Sequence, residues 1–303
     1  MDVLSVHSFA KINLGLRILR KREDGYHDIQ TVFQEIDLHD DLDFEKYPSG
    51  IAISSSHPDL PLDSRNLVHR AFGLFCERAK IRDGLSVHIE KRIPMGAGLG
   101  GGSSNAAALL IAANRLWENP LSSTQLKEVA AEIGSDVPFF LIGGTALGQG
   151  RGESLTPIPG PKGCWICLVY PGVPVSTEWA YREVKIALTN EPKMVKFNSI
   201  FKNLDSYTLR TTLVNDFEGV VFSRHPFLAA LKAQMSEKGA FYASMSGSGS
   251  TIFGLFENRE TAEKARAFFS IDHRMASFLC RPVPPHRLTE NIGLDSLPHP
   301  SPL

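Results

Sequence analysis

Apolar and polar positions alternate from the start of the chain. Between residues 3 and 19, Ile12, Leu14, Leu16 and Ile18 share one side and Lys11, Asn13, Gly15 and Arg17 the other. That two-residue period predicts a strand with one buried face. Residues 31–38, 41–44, 51–55 and 85–90 read as further strands. Residues 66–80 switch to helical spacing, with Leu67, Ala71, Leu74 and Phe75 on one face. A second helix is expected over 103–117. Ser122 with Gln125 resembles a capping box and opens a third, whose Leu126, Val129, Ala130 and Ile133 are helically spaced and which Gly134 stops. Gly143 and Gly144 precede a strand through Leu147.

The Gly- and Pro-rich stretch 148–163 reads as a linker. Beyond it the pattern predicts strands at 164–170, 241–245, 251–256 and 275–283, and helices at 176–188, 209–221, 226–237 and 260–269. Residues 284–303 hold five prolines without a period and read as a loose tail. Strands and helices are mixed without regular alternation, so the expected class is α+β.

Composition narrows the function. The 303 residues carry a net charge of -1, which offers no basic footprint for nucleic acid. No apolar run reaches a membrane span, and the N-terminus lacks a signal-peptide pattern, so a soluble, cytoplasmic protein is expected. Cys164 and Cys167 form a C-x-x-C pair, but the pair runs into Leu168-Val169-Tyr170 and reads as buried strand rather than redox motif or zinc site.

The candidate chemistry sits in residues 94–110, PMGAGLGGGSSNAAALL, where glycines run into a helix-forming segment. Gly96 to Gly101 satisfies G-x-G-x-x-G. A dinucleotide fold, however, needs a buried strand before it and a strand ending in an acid about 20 residues later. Here a half-polar strand precedes, and the loop Glu118-Asn119-Pro120 follows the helix. No Gly-Lys-Ser/Thr follows the glycines, which excludes the other common phosphate loop. What remains is the physics of the loop itself. Glycines permit close backbone approach, and a helix N-terminus favours an anion, with Ser103 and Ser104 able to cap the helix or bind a phosphate oxygen. The plain alternative is a tight turn packed on a helix.

Three separated stretches coincide: Ser8-Phe9-Ala10-Lys11-Ile12-Asn13-Leu14, the glycine loop itself at residues 94–104, and Ser246-Gly247-Ser248-Gly249-Ser250. Their order and content resemble the GHMP kinase superfamily, whose small-molecule kinases bind ATP on a P-x-x-x-G-L-G loop. Gly25-Tyr26-His27-Asp28, the triplet Gly100-Gly101-Gly102 and Ser135-Asp136-Val137-Pro138-Phe139-Phe140 resemble the branch acting on a cytidyl diphosphate sugar alcohol. The likeness spans roughly residues 8–283, and no motif position departs from it.

The resemblance implies a two-domain α+β fold: a ribosomal-protein-S5-domain-2-like unit over 1–155, a ferredoxin-like unit over 156–283, and the tail 284–303. It implies ATP on Pro94, Met95, Gly96, Ala97, Gly98, Leu99, Gly100, Gly101, Gly102, Ser103 and Ser104. Lys11 and Asp136 would be catalytic; Asn13, Tyr26, His27, Thr177, Tyr181, Gly247 and Ser248 would hold the acceptor. Mg²⁺ is expected with ATP, without a protein metal cage or a tightly bound cofactor. The expected partners are ATP and the cytidyl substrate, with no nucleic acid or membrane, in a monomer or weak homodimer. Rival readings are a homoserine- or mevalonate-type kinase and a non-catalytic nucleotide binder; retention of Lys11 and Asp136 argues against the latter.

Each residue also has a plain role. Lys11 and Asn13 on their strand alone would be solvent-facing polar groups. Asp136 before Val137-Pro138 fits a helix N-cap. Tyr26 and His27 follow a turn signal; the resemblance has Tyr26 contact cytosine by its ring and His27 by polar groups. Tyr181, with Trp179 as rival, would take the other face of the base. Residues 246–250 could simply join two strands.

Overall fold

The computed structural model describes residues 3–184, 209 and 212–285. β1 (Leu4–Lys21) and β2 (His27–Tyr47) form a long antiparallel hairpin. The two strands expected at 31–38 and 41–44 are thus one. Polar His39 and Asp40 interrupt the apolar pattern, but a register shift between Phe9 and Ala10 absorbs the irregularity and pairing continues. β3 (Ile51–Ser55) runs parallel to β4 (Gly84–Glu90) across the crossover helix α1 (Leu67–Ala79), and β4 pairs with β2. Three helices follow: α2 (Gly101–Leu116), α3 (Ser123–Ile133) and α4 (Val137–Phe140). The capping box at Ser122 and the stop at Gly134 are both present.

β5 (Thr145–Gln149) joins β2, and β6 (Ser154–Pro157) joins β5, giving the order β3-β4-β2-β5-β6 with β1 on β2. The stretch expected to be a linker therefore carries an edge strand, and a boundary between residues 155 and 156 falls inside β6. Its sequence, Ser-Leu-Thr-Pro, is too short and polar to announce pairing. α1 and α2 pack together, and Phe72, Phe75, Leu109 and Leu110 share a core with Phe44, Val87 and Ile89 of the sheet.

The second sheet is antiparallel, ordered β10-β7-β9-β8: β7 (Trp165–Tyr170), β8 (Tyr242–Met245), β9 (Ile252–Phe256) and β10 (Ala276–Cys280). α5 (Thr177–Glu183), α6 (Phe217–Arg224), α7 (Pro226–Glu237) and α8 (Arg259–Phe269) accompany it. α5 ends at Glu183, before Val184, which is extended; the rest of the helix expected to 188 lies outside the described residues. The helix expected over 209–221 is interrupted. Val214 to Asp216 dock along Leu16 of β1, and α6 starts only at Phe217; residues 210–211 are outside the described set. The expected tail is likewise outside it from residue 286.

A third apolar cluster joins the sheets. Ile12, Leu14, Val32 and Leu99 pack with Ile166, Leu168, Tyr242 and Phe253. The Tyr242 hydroxyl lies 2.5 Å from Leu14 O and 2.7 Å from Leu213 O. Cys164 and Cys167 are buried free thiols, which burial pushes up to about 11 and about 12; neither is an accessible thiolate. No helix of the described residues is long and apolar enough to cross a membrane.

Candidate active site

A cavity of about 1170 Å³ runs between the two sheets. Lys11, on β1, projects into it. The strand pattern alone left Lys11 and Asn13 in solvent, yet their exposures are only 4% and 2%. The reason is long-range. The glycine loop and Phe140 close over the lysine stem, and Lys11 N donates to Leu99 O at 3.0 Å. Lys11 Nζ donates to Asn13 Oδ1 at 2.6 Å and to Gly98 O at 3.1 Å, and lies 3.5 Å from Asp136 Oδ2. Three acceptors thus surround an ammonium with three donors.

The Asn13 amide is oriented from behind. Thr31 Oγ1 gives its only proton to Gly15 O at 2.7 Å, so its lone pairs accept Asn13 Nδ2 at 2.8 Å. That turns Asn13 Oδ1 toward Lys11.

Asp136 precedes α4, but its side chain makes no capping hydrogen bond. The plain N-cap role is not realised. The carboxylate is about one-third exposed and lines the cavity beside Lys11.

The glycine loop owes its shape to positive φ at Gly96, Gly98 and Gly100. A Cβ on Gly98 would stand 2.3 Å from Ser246 O, so only glycine allows this loop to close against residues 246–250. Gly98 O accepts from Ser246 Oγ at 2.9 Å as well as from Lys11. α2 begins at Gly101, two residues before the expected start, with left-handed Gly100 as its N-cap and no side-chain cap. Its first N–H groups are therefore available at the cavity wall, where Gly101, Gly102 and Ser103 sit.

Not every expected loop residue presents a side chain there. Pro94 and Met95 line the cavity, whereas the Ala97 and Leu99 side chains are buried, leaving their backbone. Ser104 is a correction. It is buried, its N–H donates to Gly100 O at 2.9 Å, and its Oγ lies 2.7 Å from Ser8 Oγ. One helical step past Ser103 turns the hydroxyl away from the cavity and into the packing of α2 on β1.

Asn13, Tyr26, His27, Thr177, Tyr181, Gly247 and Ser248 all line the same cavity. Thr177 Oγ1 and Ser248 Oγ are 2.8 Å apart, tying α5 to the Ser246–Ser250 loop. The aromatic arrangement differs from the simple expectation. His27 stacks its ring on Tyr181, with centroids 4.9 Å apart and planes at 14°, and Phe217 meets Tyr181 edge-on. Burial and Lys21 lower the His27 pKa. Tyr26 is 55% exposed, with Arg151 4.9 Å above its ring. Trp179 lies outside the cavity under the Arg224 guanidinium.

Several lining residues went unnoticed in the sequence. Asn66 caps α1 through Val68 N and also donates to Pro61 O, at the end of the cavity beyond the loop. Lys91 is buried against Asp40, 2.8 Å away, while Asp40 also accepts Arg92 N and Ile93 N and so fixes the start of the loop. Burial lowers the Lys91 pKa against the opposing pull of Asp40. A lysine and a proline bracketing Arg92-Ile93 carry no local signal of this pairing.

Two family models match the chain: the GHMP kinases N terminal domain at residues 66–144 and the GHMP kinases C terminal at residues 200–273. The 4-diphosphocytidyl-2-C-methyl-D-erythritol kinase of Chlorobium phaeobacteroides (strain BS1) is 43% identical over 273 residues, 89% of this chain and 94% of the relative. That of Bacillus cereus (strain AH187) is 44% identical over 253 residues, 83% of this chain and 88% of the relative. A crystal structure of 4-(cytidine 5'-diphospho)-2C-methyl-D-erythritol kinase superposes with TM-score 0.79 at 34% identity, covering 92% of this chain and 100% of that one. A homoserine kinase from Cytophaga hutchinsonii shares the fold, with TM-score 0.74 at 20% identity over 95% of this chain and 96% of that one.

Proposed function

The chain is an ATP-dependent kinase of the GHMP family, in its 4-diphosphocytidyl-2-C-methyl-D-erythritol kinase branch, and on that premise we propose that it phosphorylates the 2-hydroxyl of 4-diphosphocytidyl-2-C-methyl-D-erythritol. The products are the 2-phosphate and ADP, in a step of non-mevalonate isoprenoid precursor synthesis. The observation that carries this reading is the cavity joining the glycine loop, the Lys11–Asp136 pair 3.5 Å apart, and the His27–Tyr181 stack.

In this reading the loop's N–H groups and the N-terminus of α2 hold the triphosphate. Asp136 accepts the proton of the attacking hydroxyl. Lys11, 3.5 Å from that carboxylate, offsets charge on the transferring phosphoryl group, with Asn13 Oδ1 and Gly98 O fixing its position. Tyr26, His27 and Tyr181 recognise the cytosine, and Thr177, Gly247 and Ser248 face the acceptor's phosphates. Mg²⁺, when bound, would neutralise phosphate charge. The cavity-lining carboxylates among the described residues are Asp136 and Glu178, which suits an ion held chiefly by phosphates and water.

The test is a coupled ADP-release assay with the cytidyl substrate and its uridine analogue. Wild type is expected to turn over the cytidyl compound in strong preference. Asp136→Asn should lower kcat about 10²- to 10⁴-fold with an unchanged circular-dichroism spectrum. Phosphorylation of homoserine without turnover of the cytidyl substrate would overturn the substrate assignment; full turnover by Asp136→Asn would overturn the base.

A further inference from the structure

Outside the cavity, β1 and β2 bring together His7, His39 and Asp41. The register pairs His7 with Asp41 and Phe9 with His39. Because positions two apart on a strand share a face, all four side chains stand on one side of the ribbon. His7 Nδ1 is 2.6 Å from Asp41 Oδ1, and His39 Nε2 is 3.4 Å from the same oxygen. One ligand atom from each residue lies within 4.8 Å of the other two. Tetrahedral zinc with ligands at about 2.0–2.1 Å separates them by about 3.3 Å, so the cluster needs only small side-chain shifts to close on an ion.

A second observation points the same way. His39 Nδ1 lies 2.8 Å from Asp37 O. A carbonyl only accepts, so Nδ1 carries hydrogen, and in the neutral ring Nε2 presents a lone pair to the Asp41 carboxylate. Asp41 Oδ1 stands 3.4 Å from that nitrogen. A cation between them would be bound by both. A histidine whose far nitrogen donates to a backbone carbonyl is also the usual arrangement of a metal ligand. Arg92 holds the other carboxylate oxygen at 2.6 Å, which leaves Oδ1 turned toward the histidines. The His39 ring is further steadied edge-on against Phe9, centroids 5.5 Å apart.

We propose that His7 Nδ1, His39 Nε2 and Asp41 Oδ1 form a binding site for a zinc-class divalent transition metal, with water as the fourth ligand. The His7 proton moves from Nδ1 to Nε2 as Nδ1 becomes a ligand, so binding leaves both rings neutral. The site is separate from the catalytic cavity, but Asp41 follows Asp40, which anchors the start of the glycine loop.

The experiment is calorimetric titration of the full-length chain, freed of metal by chelator, with Zn²⁺ in the absence of nucleotide. Co²⁺ serves as a visible-absorption probe of tetrahedral N/O ligation. Wild type is expected to bind one equivalent with micromolar affinity. His39→Gln and, separately, His7→Gln should each weaken binding at least tenfold and abolish the tetrahedral Co²⁺ bands. His88→Gln, on β4, should leave both unchanged. Affinity no better than millimolar would overturn the site. So would wild-type affinity in either folded variant, or loss of binding in His88→Gln alone.

Discussion

Two glycines four residues apart in the loop should respond to alanine with opposite signs. Gly98 has φ +78°, and a Cβ there would meet Ser246 O at 2.3 Å and Gly249 O at 3.0 Å. The left-handed backbone costs an L-residue about 1–2 kcal/mol. The clash is with backbone, which cannot swing aside, and overpacking of this kind costs about 1–3 kcal/mol more. Gly98→Ala should therefore lose roughly 2–5 kcal/mol of stability. Gly102 lies inside α2, and its nearest neighbour would be Leu67 Cδ1 at 3.9 Å, ordinary contact. Gly102→Ala should gain about 0.5–1 kcal/mol, because glycine gives up more backbone freedom on entering a helix. Urea unfolding followed by circular dichroism reads both changes as shifts in midpoint at constant slope. Gly98→Ala should also lose turnover, since its carbonyl accepts from Lys11 and Ser246. A Gly98→Ala midpoint within about 0.5 kcal/mol of wild type would show that the loop does not close on residues 246–250 in solution, and the reasoning would fail.

Other outcomes follow from single residues. Glu35 is buried, accepts Gly144 N at 3.0 Å, and is pushed by burial up to about 8. Its folded-state value lies above its unfolded one, so the folded chain holds the extra proton and stability falls as pH rises from about 4.5 to about 8. Glu35→Gln should flatten that slope, which reaches at most about 1.4 kcal/mol per pH unit, in thermal melts across the range. Thr31→Val strips the acceptor from Asn13 Nδ2 and the donor from Gly15 O; it should cost roughly 1–3 kcal/mol per stranded group and lower kcat by loosening Lys11, seen in paired denaturation and kinetic runs. Tyr181→Ala removes the platform under His27 and should raise KM for the cytidyl substrate about 10- to 100-fold, as loss of base stacking predicts, with KM for ATP unchanged in steady-state assays.

What could be read from the sequence was what local chemistry decides. The capping box at Ser122 and the stop at Gly134 each depend on neighbours a few residues away, and they stand as read; β1 is a strand as its alternation predicts, but both its faces are buried from Ala10 to Leu16. The α+β class followed from the irregular mixing of strands and helices, and the two-domain fold from the resemblance of the motifs to the family. Lys11 defeated local reasoning because its burial comes from Gly98, Gly100 and Phe140, which arrive from far along the chain. Ser104 was misplaced because α2 starts at Gly101, so the helical phase of the two serines differs from that of a helix begun at Ser103. β6 was missed because an edge strand needs only one partner and little hydrophobicity. The docking of Val214–Asp216 on Leu16 is wholly tertiary; nothing in those residues distinguishes it from the helix their spacing suggested.

Strand β1 belongs to the first sheet by hydrogen bonding, yet much of what fixes it comes from the second half of the chain. Leu16 exchanges backbone bonds with Val214 and Asp216, Ile18 N donates to the Asp216 carboxylate, and Tyr242 reaches Leu14 O. The division into halves is thus one of sequence and not of autonomy. Severed near residue 160, neither fragment would have a finished surface: the first would bare Ile12, Leu14 and Val32, the second Ile166, Leu168 and Phe253. Only as a reassociated pair would the two polypeptides recover a native fold, and in this sense the chain behaves like an obligate heterodimer that happens to be covalently joined.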